Sequence, residues 1–134
     1  MSEKIDPEFE QLRREFLESL AERRIRVTGI IAEICRLGVL EVEVGPGPWS
    51  DFLFIAHKTA GVAATYDLPS LTEICGRIDD GMHGLIARSV RAVAAKSFLD
   101  WCEWVAAALS EGSKGIDPAG LLSRSTGFFD DSLR

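Results

Sequence analysis

The sequence predicts an all-α protein: an antiparallel (up-and-down) four-helix bundle with additional short helices. Apolar residues recur every three or four positions over several long stretches, and glycine and proline are concentrated in short segments between them. The chain has 134 residues, of which 46% are hydrophobic and 27% are charged. This composition is typical of one globular domain that buries its own core, so we expect helices joined by short connections.

The first predicted element covers residues 7–37, as one long amphipathic helix or two. Its apolar positions follow helical spacing: Phe9, Leu12, Phe16, Leu17 and Leu20. Asp6 and Pro7 form a start signal, because an Asp side chain caps free amides and proline suits the first helical turn. Gly29 marks either a break or a close packing contact.

Residues 38–48 form the next predicted element, a connection, because the segment holds three glycines and two prolines. Within it, residues 39–44 largely alternate apolar and acidic side chains, which is compatible with a short strand. No partner strand is evident, so we interpret the segment as a loop.

Three further helices are predicted downstream. The first covers residues 49–66, and Pro69 prevents its smooth continuation. The second begins at Pro69, runs through Ile78 and is broken near Asp80, and a long final helix covers residues 85–109. We place the helical domain at residues 1–111 and a flexible C-terminal tail at residues 112–134.

Charge and apolar content argue against several classes of function. The net charge is −6, from 15 basic and 21 acidic residues, which disfavours binding to nucleic-acid phosphates. No apolar run approaches the ~20 residues that cross a bilayer. The N-terminus lacks the basic start and apolar stretch of a secretory signal, so we expect a cytoplasmic protein. Three widely spaced cysteines without a CxxC pair are expected to be buried thiols: Cys35, Cys75 and Cys102.

The helix at residues 49–66 carries His57. On a wheel with ~3.6 residues per turn, an apolar stripe lies opposite this histidine: Phe52, Ile55, Thr59, Val62, Ala63 and Tyr66. Such a stripe is buried against neighbouring helices, so His57 is predicted to face solvent. Gly61, one turn later, costs roughly 1 kcal/mol relative to alanine inside a helix. It either clears space beside the imidazole or permits close helix packing, and an exposed histidine is often only a polar surface residue.

The segment around His57 resembles the signature of histidine-containing phosphotransfer (Hpt) domains. Residues 56–71 read Ala-His-Lys-Thr-Ala-Gly-Val-Ala-Ala-Thr-Tyr-Asp-Leu-Pro-Ser-Leu. They contain a small residue, the histidine, a glycine four positions later, further small residues and a new helix start. Residues 16–23 are similar to the first bundle helix of that family, and the resemblance covers residues 6–80.

The resemblance implies a role for each residue of the motif. His57 would be the phosphoacceptor, and Gly61 would give a receiver domain access to the imidazole. Many members have a lysine three residues after the histidine, where this chain has Ala60. Lys58 would supply the missing charge near the phosphoryl oxygens. Asp67 stands where many members have a glycine, and it is expected to cap the following helix.

The same resemblance implies partners in a two-component phosphorelay: response-regulator receiver domains and a hybrid sensor kinase. The receiver would contribute the phosphorylated aspartate, a lysine and Mg²⁺, and no cofactor or metal is expected on this chain. A neutral imidazole is a suitable nucleophile near physiological pH. No GxxxxGK phosphate loop occurs, so no autokinase activity is expected. The predicted docking surface comprises Leu53, Phe54, Lys58, Ala60, Gly61, Ala64 and Thr65, with Ile5 and Phe9 beside it.

Other interpretations stay open. An Hpt-like helical adaptor would bind a signalling partner without carrying phosphate, and the absence of a lysine at position 60 favours it. A hydrolase or metalloenzyme would need more than the two histidines of the chain, and no HExxH motif occurs. His83 is interpreted as a solvated turn residue. Three tryptophans at helical spacings are interpreted as core packing: Trp49, Trp101 and Trp104.

Overall fold

The computed structural model describes residues 6–125. In chain order the elements are helix α1 (Pro7–Leu37), strand β1 (Glu41–Glu43), helix α2 (Pro48–Val62), a 3₁₀ segment (Ala63–Tyr66), helix α3 (Pro69–Ala87), strand β2 (Ala92–Ala94), helix α4 (Ala95–Ser113) and a second 3₁₀ segment (Ala119–Ser125). The predicted all-α class is confirmed. Within this range, none of the helices is long and apolar enough to cross a membrane.

Helix α1 is one continuous helix, which decides between the two predicted possibilities. The Asp6 carboxylate accepts a hydrogen bond from the backbone N–H of Glu8 at 2.9 Å and caps the first turn. Gly38 closes the other end with φ 64°, a left-handed conformation that glycine adopts without strain. Gly29 neither breaks the helix nor packs closely, since a Cβ built there would meet no atom within 4 Å. Four side chains are buried along the helix: Phe16, Leu20, Val27 and Ile34.

The interpretation of residues 38–48 as a loop without a strand is wrong. Strand β1 pairs antiparallel with β2, and Val42 lies opposite Val93 in the register. Both valines are buried, and β-branched side chains fit such a half-buried extended backbone well. The pairing links the α1–α2 connection to the α3–α4 connection.

Two predicted helix boundaries in the second half of the chain are wrong. Helix α3 does not break near Asp80 but continues to Ala87. Its buried stripe runs through that point: Ile74, Ile78, Met82 and Leu85. Burying each such side chain contributes about 1.5–3 kcal/mol, which exceeds the roughly 1 kcal/mol that a helical glycine costs. The final helix begins at Ala95 instead of residue 85, after Ser89 has turned the chain with φ 60°.

The core lies between two helix pairs. Helix α1 packs along α4, and α2 packs along α3. Aromatic rings fill the centre, where Phe98 packs edge-on against Phe52 at 5.4 Å and against Trp101 at 6.1 Å between ring centroids. The predicted core position of the tryptophans is confirmed by exposed fractions of 3% or less: Trp49, Trp101 and Trp104.

The cysteines do not share one environment. Cys75 and Cys102 are buried, as predicted, whereas Cys35 is exposed near the end of α1. The prediction is wrong for Cys35 because the side of α1 that carries it faces solvent. Burial raises the pKa of the Cys102 thiol, so the two buried thiols are held in their neutral, unreactive form.

Part of the predicted tail packs against the helices. The Trp104 indole N–H donates a hydrogen bond to the Leu121 carbonyl at 2.8 Å, and Leu121 also packs on the core. The second 3₁₀ segment is thereby placed against α3 and α4. The rest of the predicted tail, residues 126–134, lies outside the described residues.

The start of α3 is capped from a distant part of the chain. The Asp117 carboxylate accepts a hydrogen bond from the backbone N–H of Ser70 at 2.9 Å. Asp67, which the sequence predicts as the cap, instead adopts a left-handed turn conformation with φ 63°. A long-range side chain thus provides the acceptor that free N-terminal amides require.

Candidate functional site

His57 lies in the middle of α2 and is exposed. The helix begins with Pro48 and carries Asp51 in its first turn, where both residues are favourable. The core face of α2 is buried and consists of Trp49, Phe52, Ile55, Ala56 and Thr59. The opposite side is turned to solvent, and the His57 side chain is 67% exposed. The prediction that this histidine points away from the core is confirmed.

The predicted stripe opposite His57 is confirmed as far as Thr59 and at Ala63, which is fully buried, but not at Val62 and Tyr66. Val62 is 40% exposed and Tyr66 is only half-buried. The α-helix gives way to a 3₁₀ segment directly after Val62, whose φ of −125° already departs from helical geometry. Fewer residues per turn rotate the later side chains out of the stripe. Tyr66 packs instead against α1, with its ring centroid 5.5 Å from Phe9 and 4.9 Å from Phe16.

Asp79 of α3 holds the His57 ring. Its Oδ2 atom lies 2.9 Å from His57 Nδ1, and the Asp79 side chain is only 16% exposed. An ionised carboxylate has no proton to give, so Nδ1 is the donor and carries the ring proton. Neutral His57 therefore keeps its lone pair on Nε2, to which no residue among 6–125 makes a hydrogen bond. The result is an oriented, exposed ring with one nucleophilic nitrogen.

His83 lies on the other side of the same carboxylate, which corrects its assignment to a turn. It is on α3, one helical turn after Asp79, and its side chain is 58% exposed. Its Nδ1 donates to the Asp79 backbone carbonyl at 2.8 Å. The same nitrogen lies 3.1 Å from Asp79 Oδ1, but that oxygen accepts no hydrogen bond of good geometry, so this second contact is electrostatic.

The sequence contained a signal for this pair of residues that its interpretation missed. Asp79 and His83 are four positions apart, which places them on one side of a helix. The predicted break near Asp80 separated them. Their contact with His57 could not be inferred, because it depends on how α2 and α3 pack.

Gly61 is exposed beside the imidazole, and packing does not explain it. A Cβ built at this position would meet no atom within 4 Å. Close helix packing, one of the two predicted reasons for the glycine, is therefore wrong for the described residues. The other predicted reason, space for a partner beside the imidazole, stays a prediction.

The predicted docking residues differ in their exposure to solvent. Phe54, Ala64 and Thr65 are exposed, whereas Leu53 and Ala60 are half-buried and pack against the core. The Lys58 ammonium lies 5.2 Å from the centroid of the Phe54 ring, in a cation–π contact. Lys58 is therefore engaged with a neighbouring aromatic ring, and its predicted role at the phosphoryl group stays a prediction. Ile5 lies outside the described residues.

A groove between α1 and α2 borders this surface. It encloses about 420 Å³ and is lined by apolar and charged side chains, among them Ile30, Phe54, Arg26 and Asp51. Phe54 belongs to both the groove and the exposed surface around His57. The groove therefore adds partly apolar surface next to the exposed ring of Phe54.

Comparisons with known proteins add no assignment. Neither a scan against models of protein families nor searches of curated proteins and of solved structures return a match for this chain. Among residues 6–125, no group of three or more His, Cys, Asp or Glu side chains is arranged to bind a metal ion. The exposed, oriented imidazole is the feature from which a function can be inferred.

Proposed function

We propose that the protein is a histidine phosphotransfer (Hpt) protein that relays a phosphoryl group from Asp to His to Asp in a two-component phosphorelay. One observation carries the proposal: the exposed ring of His57 in the middle of α2, with Nδ1 held by Asp79 and Nε2 available. The resemblance of residues 56–71 to the Hpt signature supports it. An antiparallel four-helix bundle is part of the proposal, supported by the packing of α1 along α4 and of α2 along α3.

The site suits reversible transfer at Nε2. The Nε2 lone pair attacks the phosphorus of an aspartyl phosphate, the N–P bond forms, and the P–O bond breaks with its electrons passing to the aspartate. The phosphorylated ring keeps its Nδ1 proton and becomes cationic, and the Asp79 carboxylate 2.9 Å from Nδ1 stabilises that charge. In the reverse step, the N–P electron pair returns to Nε2 and the phosphoryl group passes to a second aspartate.

The partners would be cytoplasmic receiver domains, with a hybrid sensor kinase upstream. A receiver would supply the aspartate, Mg²⁺ and a lysine, because phosphoryl transfer depends on neutralising the charge of the transferred group. This chain would supply the oriented imidazole and an exposed surface. Phe54, which is 57% exposed, would be an apolar contact of that surface.

Replacement of His57 tests the proposal. Wild type, His57→Gln and His83→Gln are incubated with receiver domains that carry a radiolabelled aspartyl phosphate. We expect acid-labile, base-stable label on wild type and His83→Gln, and none on His57→Gln. Circular dichroism of the three proteins checks that the fold is intact. Label on His57→Gln at the wild-type level would overturn the proposal.

Gly61→Arg tests access to the imidazole. The new side chain extends into open space, so helicity is retained, but it occupies the position beside His57 that a receiver must enter. We expect transfer from the receiver to fall on the order of 10²-fold, the cost of misplacing reacting atoms by about 1 Å. Gly120→Arg, which also adds its side chain in open space, is the control. Unchanged transfer in Gly61→Arg would show that access is not the role of the glycine.

A phosphorylation-independent adaptor is the second candidate. Ala60 in place of a lysine favours it, as does the engagement of Lys58 with Phe54. An adaptor would bind receiver domains equally well as wild type and as His57→Gln, with no acid-labile phosphate on either protein. Binding measured by calorimetry alongside the labelling experiment separates the two candidates.

A further inference from the structure

The two histidines of the chain flank one carboxylate. His57 and His83 each direct Nδ1 toward Asp79, and their ring centroids lie 6.4 Å apart. Both side chains are more than half exposed. We propose that protonated His83 is the charge partner of the phosphoryl group on His57, an inference that rests on the proposed function.

The hydrogen bond of His83 Nδ1 determines which protons the ring can donate. A backbone carbonyl only accepts, so Nδ1 of His83 carries a proton in its contact with the Asp79 carbonyl. In neutral His83 the other ring nitrogen, Nε2, then carries a lone pair and cannot donate a hydrogen bond. A second proton turns Nε2 into a donor and the ring into a cation, and both changes favour a phosphoryl group nearby.

The phosphoryl group needs such a partner because Asp79 is acidic. Phosphorylated His57 carries two negative charges on its phosphoryl oxygens, close to the carboxylate that holds the ring. Even with a proton on Nδ1, the phosphorylated side chain has a net charge of −1. A cationic His83, whose ring centroid lies 6.4 Å from that of His57, offsets this excess negative charge.

Other groups around His57 are less suited to the role. The Lys58 ammonium lies over the Phe54 ring. Among the described residues, the titratable groups in contact with His83 are Asp79 on its own helix and His57 on α2. Asp80, exposed on α3, adds a further negative charge close to His83 in the chain. His83 is therefore the basic group placed to respond to the phosphoryl charge.

The first test follows the titration of His83 itself. His57 is phosphorylated with phosphoramidate, which transfers its phosphoryl group to imidazoles with release of ammonia and requires no receiver. Histidine ring resonances are followed against pH before and after, with His83→Gln to assign them and mass spectrometry to map the label. We expect the titration midpoint of His83 to rise by about 0.5–1 pH unit on phosphorylation. An unmoved midpoint overturns the inference, as does phosphoryl found on His83 itself.

The second test asks whether the positive charge of His83, and not only its side-chain shape, stabilises the phosphoryl group on His57. With a phosphorylated receiver, His83→Gln lowers the equilibrium ratio of phosphorylated to free His57 about two- to fivefold, the range for an exposed ion pair. His83→Lys restores this ratio because the lysine side chain is positively charged. Equal ratios in wild type and both variants overturn the inference. If no receiver transfers its phosphoryl group to wild type while the His83 midpoint still rises, the relay fails and the charge partnership stands.

Discussion

On the core face of α2, Phe52 and Ile55 are buried, and Phe52 packs against the ring of Phe98. On the outer face of the same helix, His57 and Gly61 are exposed, and a Cβ built at position 61 would meet no atom within 4 Å. The glycine even costs roughly 1 kcal/mol of helix stability. Packing thus explains the residues on the core face but neither His57 nor Gly61, although His57 is hydrogen-bonded to Asp79. The outer face is where a functional reason should be sought.

The largest expected effect is on the free energy of unfolding, and it should differ between two phenylalanines on opposite faces of α2. Phe52→Ala leaves a cavity in the aromatic core and should lower the free energy of unfolding by about 3–5 kcal/mol. Phe54→Ala should change it by roughly 0.5 kcal/mol or less, because Phe54 is 57% exposed. Urea denaturation followed by circular dichroism measures both. Similar losses in the two variants would contradict the division of α2 into a core face and an outer face.

Short sequence patterns predicted those structural features that depend on residues only a few positions apart. The bounds of α1 follow from Asp6, Pro7 and Gly38, each of which acts on its own helix end. The exposure of His57 follows from the periodicity of one helix. Where the geometry changes from α to 3₁₀ after Val62, the same periodicity gave the wrong exposure.

Contacts between residues far apart in the sequence could not be predicted from short sequence patterns. Strand β1 has three residues and is stabilised by a strand that follows α3, so neither strand is recognisable alone. The cap of α3 comes from Asp117, far along the chain from Ser70. Asp79 meets His57 only because α2 packs along α3. The exposed position of His57 could therefore be predicted from the sequence, but the carboxylate that orients its ring could not.

The thiols also differ between buried and exposed positions. Burial raises the pKa of Cys75 to about 12 from an ordinary value of 9.0, with Arg23 opposing the shift and Asp79 adding to it. The unfolded chain therefore loses this proton first as pH rises. The resulting stability is fully present below pH 9 and is lost between about pH 9 and 12, at up to about 1.4 kcal/mol per pH unit.

Two cysteine variants isolate this contribution. Urea unfolding is measured at pH 8 and at pH 10 for wild type, Cys75→Ala and Cys35→Ala. We expect the loss of stability between these two pH values to be smaller in Cys75→Ala and unchanged in Cys35→Ala, whose thiol is exposed. Identical losses in all three proteins would show that Cys75 ionises normally in the folded state.

The smallest expected effect concerns two helical glycines. Gly61→Ala should raise the free energy of unfolding by about 0.5–1 kcal/mol, because alanine is the better helix former and its methyl group meets open space. Gly112→Ala should gain less or lose stability, because its Cβ would lie 3.1 Å from side-chain atoms of both Leu20 and Leu71, which must shift. Urea denaturation of both variants measures the difference. A destabilised Gly61→Ala would mean that the fold itself requires the glycine, and position 61 would then give no support to partner access beside His57.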